Sequence, residues 1–310
     1  MKLLFVCLLF LLNSFIVFSQ TEQNAPVDSI GYDRQIELRH DNDFLLFTDR
    51  YYTTGSYIEY RFIPKKNKSE IRKEQITIGL AHLFYTPTNI LSPEISDYDR
   101  PYVGYLGLSA GSFVIKKANA TDISIAVGVT GPISFAEGFQ NLFHSSGGIS
   151  TPPWQGQIKN SFHFNAYASY IKEWLLNPEP FSVYASIQPK IAFGSKDIYI
   201  DHSAKFYFGK RNPMKQSLAY NQVGTTKNEL FFSINFTYRY VGHNALLEGH
   251  LGGDKSELLV TPIRELFLYG LEGNYRSRRN DIKLGYQYMS SESALTKWHI
   301  YFTISVARRF

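Results

Sequence analysis

Along the carboxy-terminal segment, Trp298, Ile300, Phe302, Ile304 and Val306 place an apolar residue at every even position, with His299, Tyr301, Thr303 and Ser305 between them. Successive side chains of a strand point to opposite faces, so this pattern gives one wholly apolar face and one mixed face. The run is long enough to cross a hydrocarbon layer, for which a tilted strand needs about 9–11 residues, and it ends on the aromatic Phe310. Strands of soluble sandwiches are usually shorter, about 5–6 residues. The same alternation predicts strands over 34–42, 53–63, 73–85, 102–116, 121–131, 158–174, 180–195, 197–209, 228–242, 264–277, 280–290 and 297–310. An even number of antiparallel strands closes into a barrel with both termini at one end and no unpaired edge left for lipid to meet. The expected fold is all-β, a transmembrane antiparallel β-barrel of about twelve strands.

Parity then assigns the connections. If the first strand starts in the periplasm, the loops 43–52, 86–101, 132–157, 196, 243–263 and 291–296 face outside, while Lys117-Ala118-Asn119-Ala120 and Arg278-Arg279-Asn280 are inner turns. The inner connection 210–227 is an exception, because it is long for a periplasmic turn. Within 132–157, the stretch from Ala136 to Gly148 reads as a short helix.

Composition supports a membrane wall made of strands. Aromatic residues are 16% of the chain, with 22 Tyr and 24 Phe, yet the mean hydropathy is slightly negative. After residue 20 no run approaches the ~20 consecutive apolar residues of a spanning helix. The amino-terminus reads as a signal peptide over 1–19, with Lys2 followed by an apolar stretch from Leu3 to Phe18, and leaves 20–310 as a single barrel domain. A lipoprotein reading through Cys7 would leave almost no apolar segment before the cut. The only cysteine therefore departs with the signal, and the mature chain has no disulfide, thiol nucleophile or Cys-ligated zinc site. The formal charge of +5 is too mild to imply nucleic acid, and the basic run Lys65-Lys66-Asn67-Lys68 reads as a solvated turn. Neither an internal repeat nor a linker argues for a second domain.

Polar residues gather at the outer mouth. Arg39-His40-Asp41-Asn42-Asp43 and Thr48-Asp49-Arg50-Tyr51-Tyr52-Thr53-Thr54-Gly55 flank the first hairpin, so pairing brings Asn42, Asp43 and Thr53 into one small region. Such oxygen-rich clusters suit a hard cation, and equally suit a polar hairpin loop. Arg100, in Asp99-Arg100-Pro101-Tyr102, either caps a strand or holds a phosphate or carboxylate of substrate. On the predicted helix Gln140 and His144 share a face, an arrangement that can orient a general base or can simply be hydrated. Trp154 falls near the interface and reads as an anchor, with substrate contact as the alternative. No HExxH zinc helix, no P-loop and no Gly-x-Ser-x-Gly elbow at a strand-to-helix turn is present.

In this order, Asp41-Asn42-Asp43, Thr48 through Gly55, Asp99-Arg100-Pro101-Tyr102, Gly131-Pro132, Glu137, Gln140, His144 and Trp154-x-x-Gln157-x-x-Asn160 resemble the lipid A 3'-O-deacylase family of outer membranes, over roughly residues 36–160. The resemblance implies a twelve-stranded barrel that removes the ester-linked 3'-acyloxyacyl group of lipid A or lipopolysaccharide at a site facing the outer leaflet, with Ca²⁺. By motif position, Asn42 and Asp43 would hold the cation, Thr53 would support it, Gln140 would orient and His144 would activate water. The chain departs from some members at Ile90, where they carry lysine, and at Ser150 and Pro152, where they carry acidic and tyrosine residues. Two rival readings remain at this point: a non-enzymatic channel or structural barrel, and a barrel phospholipase with Ser145 or Ser146 as nucleophile.

Overall fold

The computed structural model describes residues 31–43, 48–64, 72–178 and 180–310. The segment read as a signal peptide and the basic run at 65–68 lie outside these residues. Twelve antiparallel strands close on themselves: β1 (Arg34–Asn42), β2 (Tyr51–Phe62), β3 (Arg72–Thr86), β4 (Val103–Lys116), β5 (Asn119–Thr130), β6 (Ser161–Asn177), β7 (Ser182–Gly194), β8 (Asp197–Lys210), β9 (Glu229–Asn244), β10 (Glu265–Ser277), β11 (Asn280–Met289) and β12 (His299–Arg309). Each strand pairs with its neighbour in sequence, and β1 closes the ring on β12 from Gln35↔Arg309 to Asn42↔Phe302. All twelve expected strands are present. The sixth begins three residues later than its pattern predicts, because Trp154 and Gly156 take left-handed backbone and the Ile158 amide bonds Tyr102 instead of a ladder partner. Among the described residues no helix is long and apolar enough to cross a membrane.

Alternation sorts the side chains. Arg39, Glu59, Arg61, Gln75, Asp122, Lys190 and Asp201 line a lumen cavity of about 490 Å³. Residues of opposite parity, such as Ile58, Ile78, Leu108, Ile123 and Phe164, are exposed on the exterior, the apolar-out and polar-in arrangement of a membrane barrel.

The long connection 211–227 explains itself in the structure: it folds back across the lumen at the end that carries both termini. Its two 3₁₀ turns, Met214–Gln216 and Leu218–Tyr220, bury Met214, Leu218 and Tyr220 against Ile115, Tyr207 and Phe231 of the wall. Wall side chains from β3, β10, β11 and β12 hold it: Lys73 bonds the Lys215 and Val223 carbonyls, Arg276 that of Gln216, Lys283 the Asn221 side chain and Arg309 the Thr225 carbonyl. Glu229 accepts from the amides of Asn212 and Leu218 and from the Ser217 hydroxyl.

Arg211 anchors this plug. Its guanidinium is fully buried, 2.7 Å from Glu173 and stacked over Tyr184 and Tyr207. Removing one partner of a buried ion pair leaves the other charge uncompensated, so Arg211→Ala is expected to cost roughly 3–5 kcal/mol of stability. Urea unfolding of the protein in vesicles checks this; an unchanged midpoint would show that the plug does not brace the barrel.

At the opposite end, loops 87–101 and 131–160 pack against the exterior of the wall, where Phe84, Tyr98, Tyr102, Ala136 and Trp154 form one cluster. A one-turn helix, Ala245–Glu248, sits over the lumen and packs Leu246 against Tyr52, Leu83 and Tyr105.

Candidate active site

The site is built where β1 ends and β2 begins. Asp41 faces the lumen side and accepts from Tyr52, whereas Asn42 bonds Thr54 at 3.1 Å. β2 opens irregularly: Tyr51 has φ 60°, and the register slips between Tyr52 and Thr54. A bulge of this kind leaves one extra residue free to be re-aimed. That residue is Thr53, whose hydroxyl lies 3.1 Å from Asp43 Oδ1 and 2.5 Å from Asp49 Oδ1. One hydroxyl carries one proton and cannot donate to both carboxylates.

Asp43 is 1% exposed, and among the described residues its donors are neutral: the Thr48 hydroxyl at 2.7 Å, the Arg50 backbone N–H at 3.0 Å and Thr53. Burial pushes its carboxyl up to about 7, with the Asp49 charge adding to the rise and those hydrogen bonds opposing it. A buried carboxylate held by neutral donors beside a second carboxylate is a site short of positive charge.

Helix α1 (Ala136–Ser146) supplies the opposite wall. It enters through Phe135, which has φ 62°, and seats Ala136 in the exterior cluster beside Tyr102 and Trp154. Gln140 and His144, one turn apart, are both buried, while Phe139, Leu142 and Phe143 on the other side are exposed. His144 Nδ1 lies 2.8 Å from the Ser150 carbonyl, an acceptor only, so Nδ1 carries a proton and donates. Nε2 then presents its lone pair in the neutral ring, 3.3 Å from Asp49 Oδ2. The hydrogen bond to Asp49 raises the imidazole above its ordinary value, burial opposing. The Trp154 indole N–H donates to Gln140 Oε1 at 2.8 Å, which fixes the amide so that Nε2 points toward Asp49 at 3.5 Å.

His144, Gln140, Thr53 and Asp43 thus meet through Asp49, with Asn42 adjacent. Asp49 is the residue that sequence reasoning missed: it was one acid in a polar loop, and only the bulge at Thr53 shows which way the loop folds. Two expectations change. Arg100 is fully buried, ion-paired to Glu292 at 2.9 Å and bonded to the Leu246 carbonyl, so it ties loops together. Trp154 is 3% exposed, its ring centroid 5.0 Å from that of Tyr102 and tilted to it, so it packs among the loops rather than at the membrane interface, and its indole N–H supports Gln140.

The Ser145 hydroxyl bonds the Leu142 carbonyl of its own helix. The spacing Gly107-Leu108-Ser109-Ala110-Gly111 does match a nucleophile elbow, but it lies inside β4 with Ser109 lining the lumen rather than at a sharp turn. Ser150 meets His144 through its backbone carbonyl, so the contact is indifferent to the side chain at that position.

Among the described residues no three His, Cys, Asp or Glu side chains gather as a metal centre. The donors that do gather are oxygens of carboxylate, hydroxyl and amide, a set that fits a hard cation better than a transition metal.

The family model described as "Outer membrane protein LpxR" matches residues 3–310. The chain belongs to the LpxR family. It is accordingly an outer-membrane β-barrel, of a family that acts on lipid A. Among solved structures, LpxR from Salmonella typhimurium aligns with a TM-score of 0.77 at 17% identity, over 89% of this chain and 100% of that one, and shows the shared fold. The transport unit of the autotransporter AIDA-I from Escherichia coli (TM-score 0.44, 8% identity, 96% and 97% covered) and a KdgM porin (0.40, 6%, 89% and 99%) align too loosely to carry any argument. No curated protein matches by sequence.

Proposed function

We propose that this LpxR-family barrel hydrolyses the ester that links the 3'-acyloxyacyl chain to lipid A, with His144 as the general base and the site facing the outer leaflet. The observation that carries the reading is the convergence of His144, Gln140, Asp49, Thr53 and Asp43 between the barrel exterior and α1, where an acyl chain lying along the wall would reach them. Asn42 and Asp43, supported by Thr53, would hold Ca²⁺, whose chemistry when bound is to polarise the ester carbonyl.

The remaining chemistry belongs to the side chains. Neutral His144 accepts a proton from water at Nε2, the ring being held in the required tautomer by the Ser150 carbonyl. Asp49 then stabilises the imidazolium that forms. Trp154 holds Gln140, and Gln140 holds Asp49, so the acid is positioned before substrate arrives. The plug across the lumen weighs against the channel reading, and the bonded Ser145 weighs against a phospholipase with a serine nucleophile.

A pH dependence follows from the pairing. The base form of His144 is the working form, and Asp49 raises its pKa, so the rate falls as pH drops through a value above that of an ordinary histidine. Asp49→Asn removes the charge and is expected to move this acid limb to lower pH while reducing kcat by roughly 10–100-fold, the range for partners that orient a site residue. The pH–rate profile of lipid A deacylation measures both; an acid limb that stays in place would remove Asp49 from the base.

A further inference from the structure

The exterior face of β3–β6 turns basic at the end that carries both termini. Register places Arg72, Lys116, Asn119 and Lys172 side by side on these four strands. Lys117 opens the β4–β5 turn with φ 59°, and the Glu173 amide bonds the Ala118 carbonyl, which holds that turn against β6 beside Lys172. Four residues further along the strands the same face is mainly apolar, with Ile76, Ile123 and Ala168. The cations therefore stand where the apolar belt gives way to lipid headgroups.

Most cations of this rim are committed within the protein: Arg276 to Asp281 at 2.8 Å, Arg279 to Tyr32 and Arg308 to Asn280. Arg72 is paired as well, with Glu74 at 3.0 Å, and Glu74 also accepts from Ser112. The three lysines differ. Among the described residues no carboxylate pairs with Lys116, Lys117 or Lys172; the first two are exposed and the third is half-buried. Like charges held close together repel, and an anion from outside relieves that repulsion. Apolar side chains flank the lysines. Trp174, Leu176 and Phe181 of the β6–β7 hairpin are 42%, 61% and 57% exposed, and the Tyr170 hydroxyl donates to Asn119, in the middle of the row, at 2.9 Å. Aromatic rings beside lysines suit a membrane interface, where the rings sit at headgroup level and the lysine stems carry their charge out to the phosphates.

Neighbouring strands lie about 4.8 Å apart, so Lys116 and Lys172, on either side of β5, are about 10 Å apart at the backbone, and their flexible stems can close on one phosphate between them. We propose that Lys116, Lys117 and Lys172 form a binding site for the headgroup of an anionic phospholipid in the leaflet at this end of the barrel, with Trp174 and Phe181 against its acyl chains. The site lies at the opposite end from His144, so it stands whether or not the barrel deacylates lipid A.

The test reads the fluorescence of Trp174, which reports on the lipid beside the patch. Folded protein is placed in phosphatidylcholine vesicles that carry a minor share of lipid brominated on its acyl chains, either phosphatidylcholine or phosphatidylglycerol. Each protein is compared with its Trp174→Phe counterpart, so that the difference is the Trp174 signal. Brominated phosphatidylglycerol is expected to quench Trp174 with about fivefold higher apparent affinity than brominated phosphatidylcholine, the scale of one lysine at a charged headgroup, and high salt is expected to weaken that preference. Lys116→Gln/Lys117→Gln/Lys172→Gln is expected to bring the ratio close to one. Lys210→Gln/Lys227→Gln, at exposed lysines elsewhere on the same rim, is expected to keep it. The ratio is internal to each preparation, and heat-resistant migration on gels confirms that each variant is folded. A wild-type ratio near one overturns the site, as does a full ratio in the triple variant. An equal loss in the Lys210/Lys227 variant also overturns it, because the preference would then belong to the general charge of the rim.

Discussion

Replacing His144 by alanine is expected to lower the rate of acyl release from lipid A by roughly 10²–10⁴-fold, the range for losing a positioned general base. The expectation rests on the two contacts of the ring. Nδ1 is committed to the Ser150 carbonyl, so the neutral imidazole has a single place to take a proton, Nε2, and that atom faces Asp49 at the centre of the cluster. Alanine is compatible with the α1 helix, so the barrel should keep its heat-resistant migration on gels while activity falls. Quantitative mass spectrometry of lipid A over time provides the rates. A variant within a factor of about three of wild type would exclude His144 as the base, since that range is far smaller than general-base catalysis supplies.

Asp43→Ala is the second large loss, expected at about 10²–10³-fold, the scale for removing one group that stabilises a developing oxyanion. Asp43 is buried and, among the described residues, accepts only neutral hydrogen bonds, so its carboxylate has no positive partner in the cluster. Chelation of wild-type protein should give a loss of similar size that added Ca²⁺ reverses, whereas Ca²⁺ should not rescue Asp43→Ala. Activity that survives chelation undiminished would show that no dissociable cation is needed and that Asp43 serves only to fold the loop.

The wall was legible from the chain and much of the site was not, for a physical reason. Membrane strands impose a strict two-residue period, because one face meets lipid and the other meets a polar lumen, so patterns such as Trp298 to Val306 declare themselves. Gln140 and His144 were legible too, since four-residue spacing on a helix puts them on one face. Loops have no such period. Asp49 enters the site only because Thr53 is the extra residue of a bulge and Tyr51 is left-handed, and neither feature leaves a mark in the sequence. Trp154 and Arg100 were assigned the surface roles their residue types suggest, an aromatic anchor and an anion fork. Both are buried in loop packing instead, because loops 87–101 and 131–160 cover the wall's exterior rather than extending from its rim. The plug was visible only as a turn of unexpected length; its attachment to Arg276, Lys283 and Arg309 depends on strands far along the chain.

The most direct test is the mass of lipid A after incubation with purified, folded protein and Ca²⁺. The account predicts loss of one whole acyloxyacyl unit, primary and secondary chains together, leaving a free 3'-hydroxyl. Lipid A of unchanged mass, or lipid A that has lost only its secondary chain, would contradict it.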